Sequence, residues 1–185
     1  HVMSETTCNV TLAEGVALCR AVEKSGKVYM LAENYPYTAF NQEMKRLYTE
    51  GEIGEVMYAE GEYNHPMSLE YSLEIAPGRE HWRNNLPPTY YCTHAIAPLM
   101  YITDIMPVKV NALSISFPQY RMGKIQKGDT GSVILCRMSN GAIFRLFNGT
   151  PGHSIWYSLH GSGGAMESTR GPGYWGPGQV RIWHE

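Results

Sequence analysis

Residues 11–27 read TLAEGVALCRAVEKSGK, and residues 28–32, directly after them, read VYMLA. The first stretch has the periodicity of a helix. Leu12, Val16, Cys19 and Val22 recur at i, i+4, i+7 and i+10, a stripe expected to be buried. Both ends are specified: Thr11 and Glu14 make a Thr-x-x-Glu capping box, Gly26 stands in the C′ position, and Lys24 meets the dipole in the last turn. VYMLA has the length and composition of a strand, and His1 to Ser4 (HVMS) is a second short, mostly apolar run. Strand, helix and strand in this order form a β-α-β unit, whose parallel strands are normally buried in a larger sheet. The expectation is therefore a piece of a longer protein, cut inside an α/β domain, with residues 1–35 as the end of that domain.

Beyond the second strand, Glu33-Asn34-Tyr35-Pro36-Tyr37 falls at a strand's carboxyl end, where open α/β sheets bind ligands. Pro36 suits the first turn of a helix running to Glu50, with Phe40, Met44, Leu47 and Tyr48 on its apolar side and Gly51 as its stop. From Glu55 the pattern changes to period two. Val56, Tyr58, Glu60 and Glu62 alternate with Met57, Ala59, Gly61 and Tyr63, which predicts a strand. Residues 64–90 read as loop, with an aromatic-basic island at His81-Trp82-Arg83. Thr93 is the expected cap of a short helix through Thr103, closed by Met106-Pro107. Strands follow at about 108–117, 130–138 and 142–148, the last two joined by the hairpin turn Ser139-Asn140-Gly141. Ile155 to Leu159 and Ala165 to Thr169 form a further expected pair across the turn at Gly161-Ser162-Gly163-Gly164. Residues 36–185 thus read as an α+β domain with a mostly antiparallel open sheet.

Composition narrows the function classes. The 185 residues are 43% hydrophobic with a formal net charge of −2, and Lys and Arg are scattered, which argues against nucleic acid as a partner. The apolar stretch Ala95 to Ile102 contains Pro98 and is too short to span a bilayer. Cys8, Cys19, Cys92 and Cys136 have neither zinc-knuckle nor CxxC spacing, and thiols without an evident pairing fit a reducing cytoplasm. His65, His81 and His153 show no metal-ligand spacing, so no metal site is expected. Gly171-Pro172-Gly173-Tyr174-Trp175-Gly176 spells GxGxxG, yet prolines lie within and after it and no helical pattern follows. A dinucleotide loop needs a strand before it and a helix after it, so a Gly/Pro turn is the better reading.

Taken in order, HVMSETT, the helix ending AVEKSGK, VYMLAENYPY, MKRLYTEGEIGEVMYAEGEYNHP, YYCTHAIAPLMYI and the SNGAIFRLFNG hairpin resemble the glucose–fructose oxidoreductase / inositol dehydrogenase / MocA (Gfo/Idh/MocA) family across nearly the whole chain. The resemblance implies an amino-terminal Rossmann domain holding NAD or NADP and a carboxyl-terminal domain holding a sugar or polyol. It also implies homo-oligomers formed through the open sheet. Family members commonly carry Glu-Lys-Pro where this chain has Glu5-Thr6-Thr7, so Thr6 replaces a lysine that bonds the reacting hydroxyl. The family's later motif places an Asp four residues before a His and another three after it. Here His94 is kept, while those positions hold Tyr90 and Ala97. Glu5, Thr6 and Asn34 fall on the cofactor side, and His94 remains as the base that hydride transfer from an alcohol requires.

A looser resemblance runs to the NAD-dependent α-N-acetylgalactosaminidases, a branch that also lacks the lysine. They carry Asn-x-x-Tyr after the strand and Tyr-x-Thr-His later, matched here by Asn34-Tyr35-Pro36-Tyr37 and Tyr91-Cys92-Thr93-His94. Their cycle oxidises a ring carbon transiently, eliminates the leaving group, adds water and returns the hydride, outside the usual two-carboxylate scheme. In that light His94 assists oxidation, Tyr37 is a base or substrate contact, and Arg83, Tyr91 and Thr93 bind the sugar. Tyr35, Tyr63 and Trp156 read as core or interface. Three functions stay open: a sugar or polyol oxidoreductase, a NAD-dependent glycosidase, and an inactive sugar-binding relative.

Overall fold

The computed structural model describes residues 1–65, 68–117, 128–149, 155–170 and 179–185, arranged in two compact units, His1–Asn34 and Tyr35–Glu185. In the first unit, β1 (Val2–Ser4) pairs in parallel with β2 (Tyr29–Leu31), and α1 (Leu12–Ser25) connects them. The expected caps of α1 are both formed. The Thr11 hydroxyl accepts from the Glu14 amide at 3.2 Å, Glu14 Oε2 accepts from the Thr11 amide at 3.0 Å, and Gly26 closes the helix at φ 62°. The expected burial of its stripe is not found: α1 has no buried residue, and Leu12 is 85% exposed. Two strands of three residues offer too little surface to cover a helix of four turns.

The second unit is built on a mixed sheet. Among the described residues its order is β4-β5-β6-β3-β7-β8-β9, from β3 (Val56–Asn64), β4 (Pro107–Ile115), β5 (Gly131–Met138), β6 (Ile143–Gly149), β7 (Ile155–Gly161), β8 (Gly164–Ser168) and β9 (Val180–His184). All neighbours are antiparallel except β3 and β6, so the open, mostly antiparallel sheet read from the sequence is present. Its last strand, β9, was not anticipated. The hairpin at Ser139–Gly141 forms, with Gly141 at φ 92°, where an L side chain would be strained.

One face of this sheet is covered by α2 (Ala39–Thr49) and α5 (Thr93–Thr103). Ala59, Phe144, Leu146, Tyr157, Leu159 and Met166 project from the strands into a core completed by Met44, Ala95, Leu99 and Ile102. On the opposite face Arg145 pairs with Glu60, and Arg170 reaches Glu62 at 2.7 Å while lying 4.1 Å from the Trp156 ring.

Several local expectations need correction. Pro36 lies in a separate 3-10 turn, Tyr35–Tyr37, and α2 begins only at Ala39. Residues 64–90 are not plain loop: they contain α3 (Leu69–Ile75), α4 (Trp82–Asn85) and the start of a 3-10 turn, Pro88–Tyr91. Side chains stabilise those short helices where periodicity is too brief to register: Ser68 caps α3 by accepting from the Tyr71 amide at 3.1 Å, and buried Asn84 donates to the carbonyls of Ala76 and Gly78. Thr93 is the first residue of α5 rather than its cap, which is Cys92, and the helix stops at Asp104 in the left-handed region (φ 55°) before Met106-Pro107 is reached. The GxGxxG stretch at 171–176 lies outside the described residues.

Candidate functional site

Along β3, Ala59, Gly61 and Tyr63 share the face on which α5 lies. At Gly61 the helix backbone comes so close that a Cβ would meet the Ala95 carbonyl oxygen at 2.1 Å. This contact brings the first turn of α5, with His94, down onto the carboxyl half of β3. His94 is 6% exposed. Its imidazole is walled by Tyr63 (centroids 4.5 Å apart, edge-on), Tyr35 (4.6 Å) and Tyr91 (5.7 Å). Tyr63 in turn stacks on Tyr91 at 6.4 Å and meets Tyr35 edge-on at 5.3 Å. The Arg83 guanidinium lies 5.2 Å from the centre of the Tyr91 ring, a distance at which the cation is attracted to the π face.

The supports of this cluster come from remote parts of the chain. The turn carrying Tyr91 is held by Asn148, which donates to the Pro88 carbonyl at 2.7 Å and accepts from Ser132 at 2.6 Å. Thr89 donates to Asp129 at 2.7 Å. Arg83 is placed by α4, whose loop Asn84 stitches together, and Tyr35 by Asn41, which donates to its carbonyl at 2.9 Å. His65, 6.0 Å from Tyr63, has its imidazole held below the ordinary histidine range, first by burial and then by the nearby Arg83 guanidinium and His94 imidazole. His65 is thus biased towards the neutral form, able to donate from one ring nitrogen and accept at the other.

Of the residues singled out in the sequence, the structure brings His94, Tyr91 and Arg83 together, and Thr93 adjoins them, half-buried in the same helical turn. Tyr37 is 64% exposed, and its ring faces Tyr101 at 5.7 Å. Tyr35 and Tyr63, read as core or interface, are core residues that also wall His94, while Trp156 sits on the opposite sheet face with Arg170. The period-two alternation of β3 would have found Tyr63 had its face been traced to α5. No local pattern points to Tyr35 or His65. In the first unit, Glu5 and Thr6 follow β1, and Glu33 and Asn34 follow β2, so both groups occupy the carboxyl ends of adjacent parallel strands. Thr6 is buried and its hydroxyl donates to Glu33 at 3.4 Å, tying those ends together, while Glu5 and Asn34 are exposed. Among the described residues no group of three or more His, Cys, Asp or Glu could hold a metal ion, and no helix is long and apolar enough to cross a membrane.

The fold is similar to that of solved oxidoreductases, in keeping with the resemblance carried by the sequence blocks. An oxidoreductase from Agrobacterium radiobacter, solved with NAD+, L-tartaric acid and magnesium, superposes with a TM-score of 0.71 at 16% identity over 98% of this chain and 53% of its own. Levoglucosan dehydrogenase in complex with NADH and levoglucosan gives 0.72 at 23% identity, over 90% of this chain and 47% of its own. In sequence, glycosyl hydrolase family 109 protein 1 of Bacteroides fragilis is 30% identical over 105 residues, 57% of this chain and 23% of that protein, which fits the looser resemblance to the glycosidase branch. No family model matches the chain. The chain spans about half the length of these solved neighbours and about a quarter of the curated relative.

Proposed function

We propose that the full-length protein is a nicotinamide-dependent oxidoreductase acting on a sugar or polyol, with His94 as its acid–base group. The observation that carries this reading is the buried imidazole of His94 walled by Tyr35, Tyr63 and Tyr91, with Arg83 over Tyr91. Aromatic faces suit the C–H side of a sugar ring, phenols and a guanidinium suit its hydroxyls, and an imidazole can take the proton that an alcohol loses on oxidation. Arg83, Tyr91 and Thr93 are assigned to the substrate. Glu5, Thr6 and Asn34 are assigned to NAD or NADP, which when bound accepts the hydride. Exposed Asn34 offers an amide donor and acceptor at a strand end of the kind where open α/β sheets take their ligands. The NAD+ and NADH held by the solved neighbours support the cofactor class. On this reading residues 1–35 are the end of a Rossmann domain and residues 36–185 belong to the substrate domain of a longer, cytoplasmic enzyme.

The match to glycosyl hydrolase family 109, together with Asn34-x-x-Tyr37 and Tyr91-x-Thr93-His94, favours a second reading in which transient oxidation drives elimination of an aglycone. Tyr37 separates the two. Under elimination its phenol takes or relays a second proton, so Tyr37→Phe lowers turnover by about 10²-fold, the low end of general acid–base effects. Under simple alcohol oxidation the same variant stays near wild type. Single-turnover formation of reduced cofactor, followed together with aglycone release, distinguishes these outcomes. Neither reduced cofactor nor aglycone, from a panel of sugars, polyols and glycosides, would remove both readings.

We assign the uncovered sheet face to contact with a second copy of the protein. Leu113 (78% exposed) registers against Val133, and Val133 against Phe147, with Leu135 (46% exposed) on the same face, so the apolar side chains are contiguous. The native protein is expected to sediment as a dimer or larger at micromolar concentration. Leu113→Glu with Leu135→Glu should shift it to monomer without loss of secondary structure. A native monomer would contradict the assignment.

A further inference from the structure

The chain order in α5 places a proline four residues after His94. In an α-helix the carbonyl of residue i accepts the amide hydrogen of residue i+4, and Pro98 has no amide hydrogen to give to His94. A different donor stands there. The phenol of Tyr157, fully buried on β7, donates to the His94 carbonyl oxygen at 2.6 Å. Tyr157 is the cross-strand partner of Gly61, the residue whose missing Cβ lets the Ala95 carbonyl settle on β3. The glycine thus opens the space through which α5 approaches the sheet, and the adjacent tyrosine reaches across to the backbone of the residue before Ala95. Tyr157 is itself held: its amide donates to Ser168 Oγ at 3.0 Å, and its ring stacks with Phe40 at 6.2 Å.

We propose that Tyr157 is a positioning residue for His94, its phenol standing in for the amide donor that Pro98 lacks and so setting the height and orientation of the imidazole among Tyr35, Tyr63 and Tyr91. Tyr157 acts through the backbone of α5 and touches no substrate. This deepens the proposed function and rests on His94 as the acid–base group only in its kinetic consequence; the structural part stands by itself. A buried carbonyl deprived of its donor draws the turn towards another partner, and the side chain on that turn moves with it.

The test uses Tyr157→Phe, Pro98→Ala and the double variant of the full-length protein. Tyr157→Phe keeps the packing of the ring and removes only the hydroxyl. Pro98→Ala returns an amide hydrogen to the i+4 position. The readouts are the His94 imidazole resonances in NMR and, separately, kcat and KM. Tyr157→Phe is expected to move the His94 ring resonances and to lower kcat about tenfold, with KM changed less than about twofold, the pattern of a misplaced group used in the transition state. Adding Pro98→Ala is expected to return the resonances and recover most of kcat. A general loss of packing would not be repaired by a backbone hydrogen at position 98. Unmoved His94 resonances in Tyr157→Phe would overturn the proposal, as would a double variant no better than the single one. Should Tyr157→Phe fail to fold, recovery of folding in the double variant supports the proposal and continued failure overturns it. Because the resonances report on position and kcat on use, an inactive role for His94 would leave the first readout intact and abolish the second.

Discussion

His94→Ala in the full-length protein is expected to lower turnover on the true substrate by about 10²–10⁴-fold, the usual range for a lost general acid–base group. Substrate affinity should change much less. The imidazole is 6% exposed and shares its walls with Tyr35, Tyr63 and Tyr91, so the ring stack and the Arg83 guanidinium remain to hold a sugar after its removal. The measurement is single-turnover formation of reduced cofactor, with binding followed separately by calorimetry. Two features give the residue this weight. Where the resemblance implies a lysine and two aspartates, the chain has Thr6, Tyr90 and Ala97, so the proposed proton transfer falls to His94. The structure then places His94 among Tyr35, Tyr63 and Tyr91, with Arg83 over Tyr91 and with His65, biased towards its neutral form by burial, beside Tyr63. Unchanged rates in His94→Ala would overturn the assignment of this residue as the acid–base group.

Gly61→Ala is expected to destabilise the second unit by about 3 kcal/mol, the upper part of the range for forced overpacking. The added methyl would stand 2.1 Å from the Ala95 carbonyl oxygen and 3.2 Å from Leu99 Cδ1. The first contact is with helix backbone, which cannot swing aside as a side-chain tip can, so α5 must lift as a whole. For a unit of this size the loss corresponds to a fall of about 6–12 °C in the melting temperature. Lifting α5 also withdraws His94 from Tyr63, so activity should fall even below the transition. Thermal denaturation followed by near-ultraviolet and far-ultraviolet circular dichroism would test this. A melting temperature within a degree of wild type would show that the helix is not seated at Gly61.

Elements whose causes lie within a few residues were legible in the sequence. The capping box of α1 and its left-handed Gly26 involve only residues 11–26, and both formed. The hairpin at Ser139–Gly141 follows from an Asn-Gly pair between alternating strands, and β5 and β6 pair in the register that turn imposes. His94, Tyr91 and Arg83, named together from the looser resemblance to the glycosidase branch, lie near one another in the structure. Where the reading failed, the cause was distant. Whether the apolar stripe of α1 is buried depends on the surface set against it, which the helix does not encode. α3 and α4 owe their existence to Ser68 and Asn84 bonding backbone groups, too short a pattern for periodicity to reveal.

By itself the sequence determined the fold class, because hydrophobic period, capping residues and turn glycines are local properties that survive without a partner. It also supplied His94 as the expected base, with Thr6, Tyr90 and Ala97 standing where the resemblance implies a lysine and two aspartates. What surrounds that imidazole was decided only by the tertiary structure. β3 inserts between β6 and β7, and this non-local pairing sets Tyr63 under α5 and Tyr157 beside Gly61. Tyr35 and Tyr91 arrive from separate 3-10 turns, each tied down by a buried asparagine. A side chain's neighbours depend on strand order and on how closely two backbones approach, and no window of sequence short enough to read by pattern contains both partners of such a contact.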